Sequence, residues 1–263
     1  AQDTAELRPG THLTLGARHQ EVSTRARDVF NAAAPGAAGD GVAPDRDDRE
    51  AEGAYEVGLR HALDKALSWF GRYGRSFRIA TVDEIFSTFP GQFTFLLPQT
   101  ARTLETGLAW RQGDTHVQAS VYRMNLNNEI HYNPNTFANV NLDPTRRRGA
   151  ELSARWQATA RVALKASYAY TEARFTSGSY SGNEVPLVPR RTAALVLDWK
   201  TASWWGVSAS ARYVGDKRFD NDQTNNFSQK IPAYAMVDLK WYAQTQGWTL
   251  EAAVNNAFDK KAY

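Results

Sequence analysis

Cysteine is absent from the 263 residues, so neither a disulfide framework nor a thiolate metal site is available. Methionine occurs twice, and no apolar run approaches the roughly 18 residues of a spanning helix. Charge of one sign is also lacking: 31 Lys and Arg stand against 28 Asp and Glu, and a net charge of +3 is too small to point to nucleic acid. The five histidines, His12, His19, His61, His116 and His131, include no pair at helical metal-ligand spacing, and no G-x-S-x-G nucleophile elbow occurs. Catalysis is therefore not expected, and no cofactor is called for. The composition, 42% hydrophobic and 22% charged with a mean hydropathy of -0.54, looks like that of an ordinary soluble protein. A transmembrane barrel gives the same averages, because it hides its apolar residues at every other position.

What the chain does have is alternation. Ala150, Leu152, Ala154 and Trp156 share one face with Glu151, Ser153 and Arg155 on the other. Val162, Leu164, Ala166, Tyr168 and Tyr170 oppose Ala163, Lys165, Ser167 and Thr171. Trp205, Val207, Ala209, Ala211 and Tyr213, then Trp248, Leu250, Ala252 and Val254, repeat the pattern, as do Tyr55, Val57 and Leu59 and then Leu104, Thr106, Leu108 and Trp110 earlier in the chain. All eight tryptophans lie within a few residues of a short polar turn. A soluble sandwich needs a second apolar sheet face and spreads its tryptophans through that core. Aromatics gathered at one end of each strand mark a membrane interface instead. The fold class expected is all-β, an antiparallel transmembrane β-barrel wall of about eleven strands.

Strands are expected near 11–24, 50–63, 67–79, 100–112, 115–131, 146–157, 161–176, 190–200, 205–218, 232–243 and 247–258, joined by connections that alternate short and long. In bacterial barrels the short turns are periplasmic and the long loops extracellular, so the tryptophan end is the periplasmic rim, and Tyr55, Tyr132, Tyr168, Tyr170 and Tyr213 lie nearer the outer one. The chain opens at Ala1-Gln2-Asp3-Thr4 without a basic segment and apolar run, although an outer-membrane protein must be exported, and Tyr263 has no closing strand behind it. Both observations lead to the expectation of a fragment of a larger barrel.

Among the long connections, 25–49 is rich in small residues around 32–41. The connection over 80–99 carries Phe86, Phe89, Phe93 and Phe95 around Pro90 and Gly91, and the stretch from Thr81 to Phe86 suits a helical turn capped by Thr81. The four phenylalanines are the candidate ligand-binding residues, with packing between loops as the competing role. Arg146, Arg147 and Arg148 offer positive charge at the outer mouth. By parity Arg147 faces the lumen, as a candidate contact for an anionic chelate or a partner in a lumenal ion pair. Arg146 and Arg148 face outward, toward lipopolysaccharide phosphates or solvent. Asn255, Asn256 and Asp259 are expected to satisfy backbone groups at a strand end.

The stretch Tyr73-Gly74-Arg75-Ser76-Phe77-Arg78-Ile79-Ala80-Thr81-Val82-Asp83-Glu84-Ile85-Phe86 resembles the "YG.SFR.PTL.EL" element of TonB-dependent outer-membrane receptors. Pro232-Ala233-Tyr234 through Asp238 and Val254-Asn255-Asn256-Ala257-Phe258-Asp259-Lys260-Lys261-Ala262-Tyr263 are similar to their "PAYTVVDL" and "V.NLFDK.Y" elements, with Asn139-Val140-Asn141, Arg148-Gly149-Ala150-Glu151 and Val188-Pro189 in matching order between. The resemblance covers essentially the whole chain. It implies that residues 1–263 are a partial barrel domain of an expected 22-stranded barrel, with the plug and final strand missing. It also implies an outer-membrane location in a Gram-negative bacterium, import of a metal chelate, either a ferric siderophore or cobalamin, and coupling to the TonB complex through the missing plug. Phe77-Arg78-Ile79-Ala80 departs from the box of haem receptors and no Asn-Pro-Asn-Leu follows, which turns the resemblance away from haem despite His131 beside Tyr132. A passive porin or purely structural barrel is the alternative from another class, and a secreted all-β binding module a third.

Overall fold

The computed structural model describes residues 1–27, 45–87 and 92–261. Twelve strands form one antiparallel sheet: β1 (Gln2–Arg8), β2 (Thr11–Ala26), β3 (Arg46–Ala62), β4 (Leu67–Arg78), β7 (Gln99–Gln112), β8 (Thr115–Asn127), β11 (Thr145–Thr159), β12 (Val162–Phe175), β13 (Arg191–Trp199), β14 (Trp205–Val214), β15 (Tyr234–Thr245) and β16 (Trp248–Val254). Between them lie one helical turn, α1 (Val82–Ile85), and two small hairpins outside the sheet, β5 (Phe86–Ser87) with β6 (Gln92–Phe93) and β9 (Ile130–Asn133) with β10 (Ala138–Asn141). Every strand of the large sheet pairs with the next one of that sheet along the chain, so it is a pure meander. Its edges, β1 and β16, do not pair with each other. The sheet curves, because a single recess is lined both by Arg111 at the end of β7 and by Tyr242 on β15.

Register confirms the alternation strand by strand. On the outward face one row of partners runs Trp69, Leu108, Ala119, Leu152, Tyr168, Ala193, Tyr213 and Ala235. Another runs Trp156, Leu164, Leu197, Ala209, Leu239 and Val254. Every apolar set identified from the sequence falls on this one face. Its side chains are exposed: Trp156 retains 52% of its accessible surface and Trp248 73%, which a packed core would not allow. The opposite, lumenal face carries such polar rows as Gln118, Ser153 and Ser167.

The tryptophans cluster where the chain turns back through one or a few residues, after Arg8, Ala62, Gln112, Thr159, Trp199 and Thr245. Gly113 and Gly247 hold positive φ in two of these turns, a conformation that a β-carbon would strain. The longer connections all leave from the other end. There Tyr55 and Tyr73 stand 6.1 Å apart on the outward face, giving the second aromatic rim.

Several boundaries differ from expectation, with β14 ending at Val214 and β16 at Val254, and three differences have a clear physical cause. β1 was not anticipated: Asp3 interrupts the apolar face that Ala5 and Leu7 begin, and the strand is recruited by pairing with β2 from Gln2↔Gly16 onward. The strand expected over 115–131 ends at Asn127, because Asn128 takes φ 56° and turns the chain into the separate β9–β10 hairpin. The β2–β3 ladder extends to Ala26↔Arg46, its outer end carrying charge on both faces, such as the Arg25–Asp47 pair at 3.0 Å.

Leu152 lies mid-strand on the outward face and Ser153 beside it on the lumenal one. Leu152→Arg should therefore cost about 2–4 kcal/mol of stability in a lipid bilayer and Ser153→Arg far less. Leu250, two residues from the girdle at Trp248, should tolerate Arg better than Leu152 does. Denaturant unfolding in vesicles measures all three, and equal costs at 152 and 153 would contradict the assigned faces.

Candidate functional site: an interlocked cap of long connections

The long connections at the end opposite the tryptophans are built onto one another. Residues 79–98 begin with the capping turn expected from the sequence: Thr81 N–H donates to Glu84 Oε2 at 2.8 Å, and Arg78 Nη1 donates to the same carboxylate at 2.7 Å. Those donors outweigh the desolvation that burial imposes and hold the Glu84 carboxyl below its usual range. Asn139 Nδ2 on β10 donates to Glu84 O at 3.2 Å, docking the turn on the next connection. Asn141 completes that junction, accepting from Leu97 N–H at 2.8 Å and donating to Leu97 O and Asn128 O, each at 2.9 Å.

Residues 128–144 then lead to the barrel and to the next connection. Arg147 Nη2 pairs with Glu129 Oε1 at 2.6 Å, with both side chains about four-fifths buried. Leu142 joins Ala173, Phe175 and Val185 in a small apolar core on the lumenal side of the outer rim, with Val140, Tyr180 and Val188 packed around it. Phe175 and Tyr180 meet as a tilted pair 5.6 Å apart.

Residues 176–190 and 215–233 are stapled through one carboxylate. Glu184 accepts from Arg218 Nε at 3.0 Å and Lys230 Nζ at 3.2 Å, and also pairs with Arg190. Burial pushes its pKa up, but the hydrogen bonds from Arg218 and Lys230 and the charges of Lys230 and Arg190 prevail and bring it down to about 2. Arg218 is shared with Asp222 at 2.9 Å; Asp222, fully buried, also accepts the N–H groups of Asn226 and Phe227 at 2.9 and 3.2 Å. Asn225 clamps the other side, accepting from Glu184 N–H and donating to Glu184 O. A last junction is open: His131 Nε2 and Asp220 Oδ1 face each other at 4.0 Å, both buried and neither with a hydrogen-bond partner.

Of the residues singled out in the sequence, Phe86 and Phe93 are brought opposite each other in the β5–β6 ladder. Phe95 lies under the Arg46 guanidinium, 4.7 Å from ring centroid to Cζ. Phe89 and the small-residue stretch 32–41 lie outside the described residues. Arg147 makes the lumenal ion pair, while Arg146 reaches Asn125 at 3.1 Å and Arg148 pairs with Glu172 at 2.6 Å on the outer face. Asn256 does satisfy backbone, bonding Lys260 through both side-chain atoms at 2.9 and 3.0 Å, and Asp259 lies in the same turn with φ 48°. Sequence reasoning missed the Glu184 staple and the exposed pair Phe219 and Phe227, whose rings lie 6.2 Å apart. The flanking run from Asp220 to Asn226, dense in Asp and Asn, was the available signal for a structured loop.

A meander with one apolar face, a tryptophan girdle at the short turns and an interlocked cap at the other end is the wall of an outer-membrane receptor barrel. The chain belongs to the TonB-dependent receptor family, matching the description "TonB dependent receptor-like, beta-barrel" over residues 1–257. It is 25% identical over 262 residues to the ferrioxamine receptor of Yersinia enterocolitica, covering 95% of this chain and 34% of that protein. It is also 25% identical to the vitamin B12 transporter BtuB of Vibrio vulnificus, over 79% of this chain and 33% of the transporter. Among solved structures, the siderophore receptor PiuA of Acinetobacter baumannii superposes with a TM-score of 0.76 at 20% identity, covering 98% of this chain and 38% of that one. The chain thus spans about a third of the length of the curated relatives it matches.

Because the Glu184 pKa is depressed in the folded cap, its contribution to stability is complete above pH 4.5 and is lost as pH falls toward about 2. Glu184→Gln should loosen residues 176–190 and 215–233 together, by about 1–3 kcal/mol of local stability at neutral pH. Amide hydrogen exchange reads this directly, and protection unchanged in both segments would remove the staple.

Proposed function

We propose that this chain is part of a receptor that imports a ferric siderophore across the outer membrane. In this reading residues 1–263 are a partial barrel domain, with a plug domain and a final strand encoded outside them. Transport is driven when the TonB complex acts on the plug. The observation that carries the reading is the cap, a set of four linked connections that presents aromatic and cationic side chains at the outer mouth. Recognition sits on such loops while a rigid barrel positions them. The names of the ferrioxamine receptor and of PiuA point toward iron chelates, and that of BtuB supports cobalamin as the alternative. Chelate transfer through a gated barrel requires no catalytic group, and none is assigned.

Phe86, Phe89, Phe93, Phe95 and Arg147 are proposed as ligand-binding residues. For Arg147 the pairing with Glu129 sets a condition, since a ligand has to compete with that carboxylate. We also place outer-membrane lipid against the outer rim. There Arg102, Asn125, Arg146 and Arg174 are successive cross-strand partners on the outward face, above the apolar band, and Arg123 opposes Arg148 beside them. Glu172 is the acid among them, and the surplus of positive charge suits lipopolysaccharide phosphates.

Deleting residues 84–96 from the complete receptor should abolish or weaken chelate binding while leaving barrel assembly intact, whereas trimming 32–41 should change uptake little. Titration with ferric siderophores and cobalamin reads affinity, and heat-modifiable migration reads assembly. Unchanged affinity after the first deletion would move recognition to the plug or to other connections. Saturable binding of cobalamin alone would select the alternative substrate.

A further inference from the structure

Beyond Tyr55 the β2–β3 ladder runs on past its neighbour. β3 pairs with β4 only from Tyr55↔Arg75 to Ala62↔Ser68, whereas its pairing with β2 continues to Ala26↔Arg46. From Arg46 to Ala54, β3 therefore has a strand on one side only, and an open edge of this kind has to be charged or covered. The arginines of this arm divide into two sets. Arg25 pairs with Asp47 at 3.0 Å, Arg27 with Asp45 at 3.6 Å and Arg49 with Glu21, all across the ladder. Arg46 and Arg18 form no ion pair among the described residues. Each lies on a phenylalanine instead, with Cζ of Arg46 4.7 Å from the Phe95 ring centroid and Cζ of Arg18 5.6 Å from that of Phe77.

Both rings belong to the same stretch of chain. Phe77 is the penultimate residue of β4 and Phe95 follows β6, so the arm meets the 79–98 connection at its entry and again near its exit. These are the two cation–π contacts among the described residues, and both join the same two segments. A third arginine fixes the base of the arm: Arg75 on β4 donates to Gly53 O and, at 2.6 Å, to Glu52, with both side chains about four-fifths buried. The connection has no ladder to the wall sheet, because β5 and β6 pair only with each other. On one flank it is tied to residues 128–144 through Asn139 and Asn141. The arm supplies the support on the other. A guanidinium attracts a ring from one face, so the contact fixes where Phe95 sits without enclosing it.

We infer that Arg46, assisted by Arg18, is a positioning residue that holds the aromatic connection in place for the chelate. This rests on the receptor reading above and adds the element that orders its candidate residues. The arm contacts no ligand in this scheme and acts through Phe95. Arg46 carries the larger share, since 4.7 Å is well inside the roughly 6 Å reach of a cation–π contact and the 5.6 Å of Arg18 is close to its limit. One such contact at an exposed site changes a local equilibrium about two- to fivefold. A connection already in place when the chelate arrives avoids the cost of being ordered on binding, so the same factor enters the affinity.

Amide hydrogen exchange and chelate titration on the complete receptor in vesicles test this, with a ferric hydroxamate, a ferric catecholate and cobalamin as the probes. Arg46→Gln should speed exchange over residues 92–97 about two- to fivefold and weaken whichever probe binds by a similar factor. Arg46→Lys keeps a cation over the ring and should restore both, which replacing lost bulk alone would not do. Phe95→Leu should speed the same amides, and adding Arg46→Gln to it should add nothing, because one contact is lost only once. Residues 176–190, held by Glu184, are the internal control and should exchange as before. Exchange over 92–97 unchanged in Arg46→Gln, or additive effects in the double variant, would overturn the inference. Faster exchange with unchanged affinity would also overturn the positioning role, leaving a mechanical link and moving recognition away from Phe95. The exchange comparison contains no chelate and stands whichever probe binds; a complete receptor that binds none of the three would instead fail the receptor reading itself.

Discussion

Hydrocarbon offers no partner to a backbone N–H or C=O, and this constraint organises the whole chain. Each strand in the bilayer must pair along its full length, which makes the meander the economical solution: each strand's partner is the next one through a tight turn. Once pairing is in register, the side-chain period of two leaves no freedom in the faces. A slip of β12 by one residue against β11 would send Leu164 and Tyr168 into the lumen and put Lys165 and Ser167 in lipid. The two irregularities of register that do occur, at Glu6/Arg8 and Gln157/Thr159, are both at the short turns, where the strand is leaving the membrane and the cost is least.

The same constraint explains where packing resembles that of a soluble protein. On the wall the outward side chains remain exposed because lipid, not protein, is their solvent. Phe175, Thr145 and Asp222 are buried almost completely, and all belong to the outer rim or the connections beyond it. There water is present, and segments that lack ladder partners need an interior of their own. The cap obtains one from the Leu142 cluster and from side chains that substitute for ladder bonds: Asn141 and Asn225 each serve a neighbouring connection's backbone as donor and acceptor at once. An amide is well suited to this, since it presents both functions on one planar group.

This division also marks what could be read from sequence. Wall strands with a consistent apolar face, such as β11, β12, β14 and β16, were legible to within a few residues, because period-two alternation is a local property. β1 was not, because Asp3 spoils its face and the strand depends on its pairing with β2. The β9–β10 hairpin was read as strand continuation followed by loop, since the break rests on one asparagine adopting positive φ. At the candidate site the helical turn at Val82 was visible through its cap, and the lumenal direction of Arg147 through parity. Its partner Glu129 was not, and neither was the convergence of Arg190, Arg218 and Lys230 on Glu184. Arg190 is six residues from Glu184, but the other partners lie 18 to 46 residues apart in sequence, and no local pattern encodes them.

The two ends of the lumen differ in how they handle charge. At the outer end Glu184 gathers three cations and Asp222 accepts from Arg218, Asn226 and Phe227, while His131 and Asp220 face each other without a hydrogen bond. At the inner end no acid among the described residues forms an ion pair with Arg111 or Arg155, although Asp114 and Asp198 line the same recess. A recognition surface gains from being rigid before its ligand arrives, because ordering it on binding would reduce affinity.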